Sequence, residues 1–233
     1  MSLPDKVVLI TGGTRGIGKT TAEWLAREGA AVCVTSRHAE PARPTEPLRA
    51  GDIRVARLDV TDEASVLSLF AWLRETSGKL DVLVNNAGVG IFKPIEDTTL
   101  QEWREVMDIN VAGLFLCSRE AFKLMKNQGG GRIINLSSIS GYLPLSENGV
   151  YGSSKHAVRG FSQICNEEWK AYGVHVTAVS AGAVCTEITD SRAFNPQDML
   201  KPEDIAAVIA DIVKKPPGVR IDEIRILPPK GVL

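Results

Sequence analysis

The chain has little charge imbalance, no long apolar run and no clustered cysteines, and each absence removes a class of function. Lys and Arg nearly balance Asp and Glu, leaving a formal net charge of −1. That balance gives no electrostatic basis for binding nucleic acid or an anionic membrane surface. The four cysteines, Cys33, Cys117, Cys165 and Cys185, lie far apart. With no Cys-x-x-Cys and no Cys/His cluster, neither a metal site nor a redox pair is expected. The N-terminal Met1-Ser-Leu-Pro-Asp-Lys6 lacks the apolar core of a signal peptide, and no apolar run approaches membrane-spanning length. The expectation is a reduced, cytoplasmic, soluble protein. Repeats, linkers and shifts of composition are also absent, so residues 1–233 are expected to form a single domain.

Strand and helix patterns alternate throughout. Val7–Ile10 is a continuous apolar run of the kind buried on both faces of a sheet. It leads into Thr11-Gly-Gly-Thr-Arg-Gly-Ile-Gly18, a helical pattern over Ile17–Glu28 and a second strand at Ala31–Thr35. Pro41, Pro44 and Pro47 make a regular helix between His38 and Leu48 unlikely, so that piece is expected to be loop. Further strands are expected at Ile53–Leu58, Leu80–Val84, Ile133–Leu136, His175–Val179 and Ile221–Leu227. Helices are expected over Glu63–Glu75, from the capping-box sequence at Thr99 to Asn127, over Tyr151–Tyr172 and over Glu203–Lys214. The pattern predicts an α/β fold, a doubly wound Rossmann-type domain with a mostly parallel sheet of seven strands. The glycine turn, Asp59, Asn85–Gly88, Ser138 and the loop from Ser180 would all fall at the carboxyl ends of strands, where ligands bind in such sheets.

Two motifs carry chemistry on their own terms. In the glycine turn, Gly12, Gly16 and Gly18 would let backbone N–H groups approach a pyrophosphate at a helix N-terminus. The spacing is G-x-x-x-G-x-G rather than the more common G-x-G-x-x-G. In Tyr151-Gly-Ser-Ser-Lys155, phenol and ammonium project from one helix face, one turn apart. A phenol ionises at a pKa of about 10, and a fixed ammonium beside it favours the phenolate. Such a pair is an acid/base device.

Thr11-Gly-x-x-x-Gly-x-Gly18, Asn85-Asn-Ala-Gly88, Asn110, Ser138 and Tyr151-x-x-x-Lys155 occur in the order and spacing of the short-chain dehydrogenase/reductase family. The chain resembles its shorter, single-domain subfamily from the first strand to the last. The resemblance implies that Tyr151 exchanges a proton with the substrate oxygen and that Ser138 hydrogen-bonds that oxygen. Lys155 would hold the nicotinamide ribose and lower the tyrosine pKa. Asn110 would hold the helix geometry and a water that relays protons to Lys155. Gly12, Thr14, Ile17 and their neighbours in the turn would hold the pyrophosphate, Asp59 and Val60 the adenine, Asn86, Ala87 and Gly88 the ribose side, and Val184 and Thr186 the nicotinamide carboxamide. Two departures stand out. Ala181-Gly182 replaces the Pro-Gly that usually follows the sixth strand, and a looser loop is expected there. The proline-rich segment replaces the usual second helix.

NAD sites place an acid at the end of the second strand to grip the adenosine 2′-hydroxyl, and NADP sites replace it with a cation. Here the position is Ser36, Arg37 follows, Arg15 lies in the glycine turn, and no acid occurs until Glu40. The expected cofactor is NADP(H) rather than NAD(H). The loops Val89–Pro94, Ile139–Gly149 and Glu187–Met199 supply mainly apolar candidates for the substrate pocket: Ile91, Phe92, Ile139, Tyr142, Leu143, Leu145, Phe194 and Met199. Arg192 is the nearby cation suited to a carboxylate, whereas Cys185 reads as packing. The expected function is interconversion of a small carbonyl compound and its alcohol. The alternatives are a 3-hydroxy acid dehydrogenase or 3-oxoacyl reductase, and a silent dinucleotide-sensing protein. Trp103, Phe115, Phe161 and Trp169 exceed what one sheet face needs, and in relatives these helices pack on symmetry mates, so a homodimer or homotetramer is expected.

Overall fold

The computed structural model describes residues 3–40, 48–187 and 195–232. The proline-rich segment, Arg192 and Phe194 lie outside them. Seven strands form one sheet in the order β3-β2-β1-β4-β5-β6-β7, and every pairing is parallel. They are β1 (Val7–Ile10), β2 (Ala31–Ser36), β3 (Ile53–Arg57), β4 (Val82–Asn85), β5 (Gly131–Ser138), β6 (Val174–Ala181) and β7 (Glu223–Ile226). The chain winds outward from β1 to β3, then crosses back to β4 and winds the other way. This reversal opens a crevice at the carboxyl ends of β1 and β4.

Helices cover both faces, which explains why β1, β2 and β4 read as continuous apolar runs. On one face α1 (Gly16–Arg27) and α6 (Pro202–Lys214) pack Leu25, Ile205 and Ile209 against Val8, Ile10 and Val84. On the other, α2 (Glu63–Ser77), α4 (Leu114–Asn127) and α5 (Gly149–Trp169) pack Leu69, Leu73, Cys117 and Met125 against Leu9, Leu83 and Ile133. Each such fully buried aliphatic side chain contributes about 1.5–3 kcal/mol by leaving water. The cap of α2 is local: the Asp62 carboxylate accepts from Ala64 N at 3.0 Å, and Gly78 ends the helix at φ +66°. Among the described residues no helix is long and apolar enough to cross a membrane.

The long helix expected from Thr99 to Asn127 is interrupted. The capping box of Thr99 and Glu102 opens α3 (Leu100–Met107), one π-helical segment follows over Asp108–Gly113, and α4 resumes at Leu114. Such insertions occur often at functional sites. Gly113 closes the segment where a Cβ would stand 2.7 Å from a Val60 methyl, so only glycine lets the helix approach the end of β3 this closely.

Two readings of packing need correction. Trp169 is buried and stacks on Phe122 with centroids 4.4 Å apart, and Phe161 packs on the same core. Both serve the chain's own interior, whereas Trp103 and Phe115 remain 37% and 42% exposed. Cys33, Cys117 and Cys165 are buried, but Cys185 is exposed and is not a packing residue.

Candidate active site

The glycine turn is held from below by hydroxyls and an amide. Thr11 Oγ1 accepts from the backbone N–H groups of Asn86 and Ala87, both at 3.1 Å. Asn86 Nδ2 donates to the carbonyls of Thr11 at 3.1 Å and Gly12 at 2.9 Å. Thr35 Oγ1 accepts from Gly12 N at 3.2 Å. The turn thereby joins the ends of β1, β2 and β4. Gly12 and Gly16 take φ values of +62° and +51°, the left-handed region open to glycine. Gly18 faces Asn86, where a Cβ would stand 2.5 Å from Nδ2. No acid occupies the first turn of α1, so its free N–H groups favour an anion.

A cleft of about 360 Å³ opens above this turn. It brings together Gly12, Thr14, Arg15, Gly16 and Ile17 with Ser36, Arg37, Asp59, Val60, Asn86, Ala87, Gly88 and Thr186. Gly18 lies beneath the cleft. Val184 is buried, and its loop is pinned to Leu200 by Cys185 N→Leu200 O and Leu200 N→Ala183 O, both at 2.9 Å. Gly182 N donates to Ile226 O at 2.8 Å. Ala181 extends β6 in register with Ile226 and Ser138.

Burial works against the Asp59 carboxylate, but hydrogen bonds from Thr61 and the charges of Arg37 and Arg57 outweigh it and hold its pKa below the usual value. Arg37 is an exposed cation at the end of β2, in the position expected of a 2′-phosphate partner. Arg15 is different. Its Nη1 donates to Glu187, a cleft residue that the sequence reading missed. An acid directly after Thr186 was the available signal, but its partner lies far away in the chain.

At the carboxyl end of β5, Ser138 Oγ accepts from Ser140 N at 3.1 Å and acts on the Tyr151 phenol, whose pKa it lowers. Asn110, buried in the π-helical segment, spans two elements. Its Nδ2 donates to Val89 O at 2.9 Å and Ser154 Oγ at 3.0 Å, and its Oδ1 accepts from Val89 N at 2.9 Å. Ser154 Oγ in turn donates to Tyr151 O at 2.7 Å. The loop after β4 is therefore tied to the helix that carries Tyr151 and Lys155. Lys155 Nζ lies 5.6 Å from the Tyr151 ring centroid, and a Cβ on Gly88 would stand 3.8 Å from it. The four residues expected to be catalytic thus meet beside the cleft.

Their electrostatics differ from expectation. Lys155 is buried without a carboxylate, and burial lowers its pKa to about 8. Burial raises the Tyr151 pKa, and the neighbouring Ser138 hydroxyl opposes that rise only in part. The net shift of the phenol is upward rather than the expected lowering, and the Lys155 ammonium donates to Leu136 O at 2.8 Å. Of the apolar candidates, Phe92 meets the Tyr151 ring edge-on at 5.1 Å and is 45% exposed. Leu143 is also exposed, whereas Ile139 and Met199 are buried and serve packing.

Known proteins share this architecture. The family profile described as short chain dehydrogenase matches residues 6–215. An uncharacterised oxidoreductase of Staphylococcus aureus is 34% identical over 229 residues, 97% of this chain and 98% of that one. The structure of ElxO with NADP bound superposes with a TM-score of 0.86 at 30% identity, covering 95% of this chain and 97% of that one. The closed form of a serine dehydrogenase complexed with NADP+ gives 0.86 at 28% identity, covering 94% of each chain. With the match running from β1 to the end of α6, the chain belongs to the short-chain dehydrogenase family.

Proposed function

We propose that the protein is an NADP(H)-dependent oxidoreductase that interconverts a small carbonyl compound and its alcohol. The observation that carries this reading is the gathering of Ser138, at the end of β5, with Tyr151 and with the Lys155 ammonium 5.6 Å from the tyrosine ring centroid, the glycine-lined cleft alongside. The cleft suits a dinucleotide: glycine backbone and a free helix N-terminus for the pyrophosphate, Ser36 and Arg37 for a 2′-phosphate, Asp59 and Val60 for adenine, and Asn86–Gly88 with Tyr151 and Lys155 for ribose. Gly182, Val184 and Thr186 would close the nicotinamide end.

When bound, the cofactor supplies or accepts the hydride. The protein's own groups manage the charge that hydride transfer leaves on oxygen. In reduction, the Tyr151 hydroxyl donates its proton to the carbonyl oxygen while Ser138 donates a hydrogen bond to it. Lys155, with a pKa of about 8, is mostly protonated at neutral pH and sets a positive charge near the phenolate that results. Asn110 keeps the loop at Val89 and α5 in register. Oxidation runs the same proton path in reverse.

The test is a panel of ketones, aldehydes and 3-oxo esters with NADPH, following its absorbance, beside a Tyr151→Phe control. Turnover that is lost in the control supports the reading. Preference for carboxylated substrates would favour the 3-hydroxy acid alternative. Tight NADPH binding without turnover of any substrate would favour a dinucleotide-sensing protein.

A further inference from the structure

Behind the Ser138 turn lies a cluster that this chemistry leaves unused. Arg159 stands on α5 one turn beyond Lys155. Its Nη1 donates to Gly141 O at 2.6 Å, its Nε to Glu223 Oε1 at 2.5 Å and its Nη2 to Glu223 Oε2 at 3.2 Å. The guanidinium carbon lies 3.3 Å from the centroid of the Tyr142 ring, and that of Arg225 lies 5.0 Å from the same centroid. One planar fork therefore binds a carboxylate on β7, a carbonyl in the turn after β5 and an aromatic face. Only arginine has the donors and shape for all three.

The turn it grips is the one that presents Ser138. Residues 139–141 form a single 3-10 turn capped by the Ser138 hydroxyl itself, so the side chain is bonded into the turn. The turn also lies hard against α5, where a Cβ on Gly141 would stand 2.8 Å from Lys155 O and 3.0 Å from Arg159 Cδ. Ser137 Oγ adds a hydrogen bond to Lys155 O at 3.2 Å.

We propose that Arg159 is a positioning residue for the reaction: held by Glu223, it clamps the Gly141 carbonyl and so aims the Ser138 hydroxyl at Tyr151. This rests on the reading of Ser138 and Tyr151 as the groups that meet the substrate oxygen. Loss of a merely stabilising ion pair would lower the unfolding midpoint and leave the geometry of Ser138 alone. A clamp couples energetically to Ser138.

The experiment is a double-mutant cycle in the full chain. With NADPH and the best ketone of the panel, Arg159→Met should lower kcat about tenfold or more while NADPH affinity changes less than about twofold. In a Ser138→Ala background the same substitution should cost little further. Arg159→Lys keeps the charge but cannot hold carboxylate and carbonyl together, so it should remain impaired. A second readout needs no turnover. The ultraviolet titration of Tyr151, taken as the difference from a Tyr151→Phe background, should move to higher pH in Arg159→Met, because a displaced Ser138 no longer lowers the phenol pKa. If Arg159→Met fails to fold, Arg159→Lys carries both measurements. Equal fold-losses in the two backgrounds, or an unmoved titration, would overturn the role of Arg159. A Tyr151→Phe enzyme of full activity would instead remove the reading beneath it.

Discussion

The ammonium of Lys155 donates to the carbonyl oxygen of Leu136 at 2.8 Å, so the charge next to Tyr151 is anchored to the strand that ends in Ser138. Lys155 is buried with a pKa of about 8, below the value of 10.5 for a free lysine. Between those values the unfolded chain binds more protons than the folded one, so this group makes stability rise with pH across that window. Compared with Lys155→Met, the wild type should gain on the order of 1–3 kcal/mol between pH 8 and 10.5. Denaturant unfolding of both proteins across that range checks it, and parallel profiles would contradict it. The substitution should also cost turnover and NADPH affinity.

Tyr151→Phe keeps the ring and its edge contact with Phe92, so fold and NADPH affinity should persist. Turnover should fall at least about 100-fold, since the charge developing on oxygen loses its proton donor. In the ligand-free protein, Tyr151 should titrate above a free phenol, because burial outweighs the lowering effect of Ser138. Ser138→Ala should push that titration higher still. A wild-type phenol that titrates below the free value would reverse this picture.

The two cleft arginines should behave differently. Arg37→Ala should cost about 1.5–3 kcal/mol of NADPH binding and little of NADH binding. Arg15 is already engaged by Glu187, so Arg15→Ala should cost less, and Glu187→Gln should tighten NADPH by freeing the guanidinium. Isothermal titration with both cofactors reads all three, and equal losses of NADPH and NADH in Arg37→Ala would take that residue out of the role.

Gly113→Ala should destabilise the fold by about 1–3 kcal/mol, as overpacking in a dense interior does. The added methyl would stand 2.7 Å from Val60, with a backbone carbonyl at 3.1 Å behind it. A stability equal to wild type in urea would show that the π-helical segment yields easily.

Leu100, Trp103, Phe115 and Ile164 leave apolar surface exposed along α3, α4 and α5. A dimer or tetramer that buries this face is the expected state at micromolar concentration. Light scattering should find it, and Trp103→Glu should shift it toward monomer.

What the sequence by itself determined follows from short-range rules. A continuous apolar run marked β1, alternation marked β7, the capping box marked the start of α3, and glycine spacing marked the turn, because each depends on neighbours within a few residues. The place of Tyr151 and Lys155 on one helix face was equally local. Only the tertiary structure decided what those groups meet. Glu187 reaches Arg15 across 172 residues of chain, and Lys155 finds Leu136 across 19. Burial then set the direction of the Tyr151 and Lys155 shifts, and burial is a property of the packed interior rather than of helix spacing. The π-helical segment belongs to the same class. Its residues Gly113 and Asn110 meet Val60, Val89 and Ser154, contacts between residues distant in the chain.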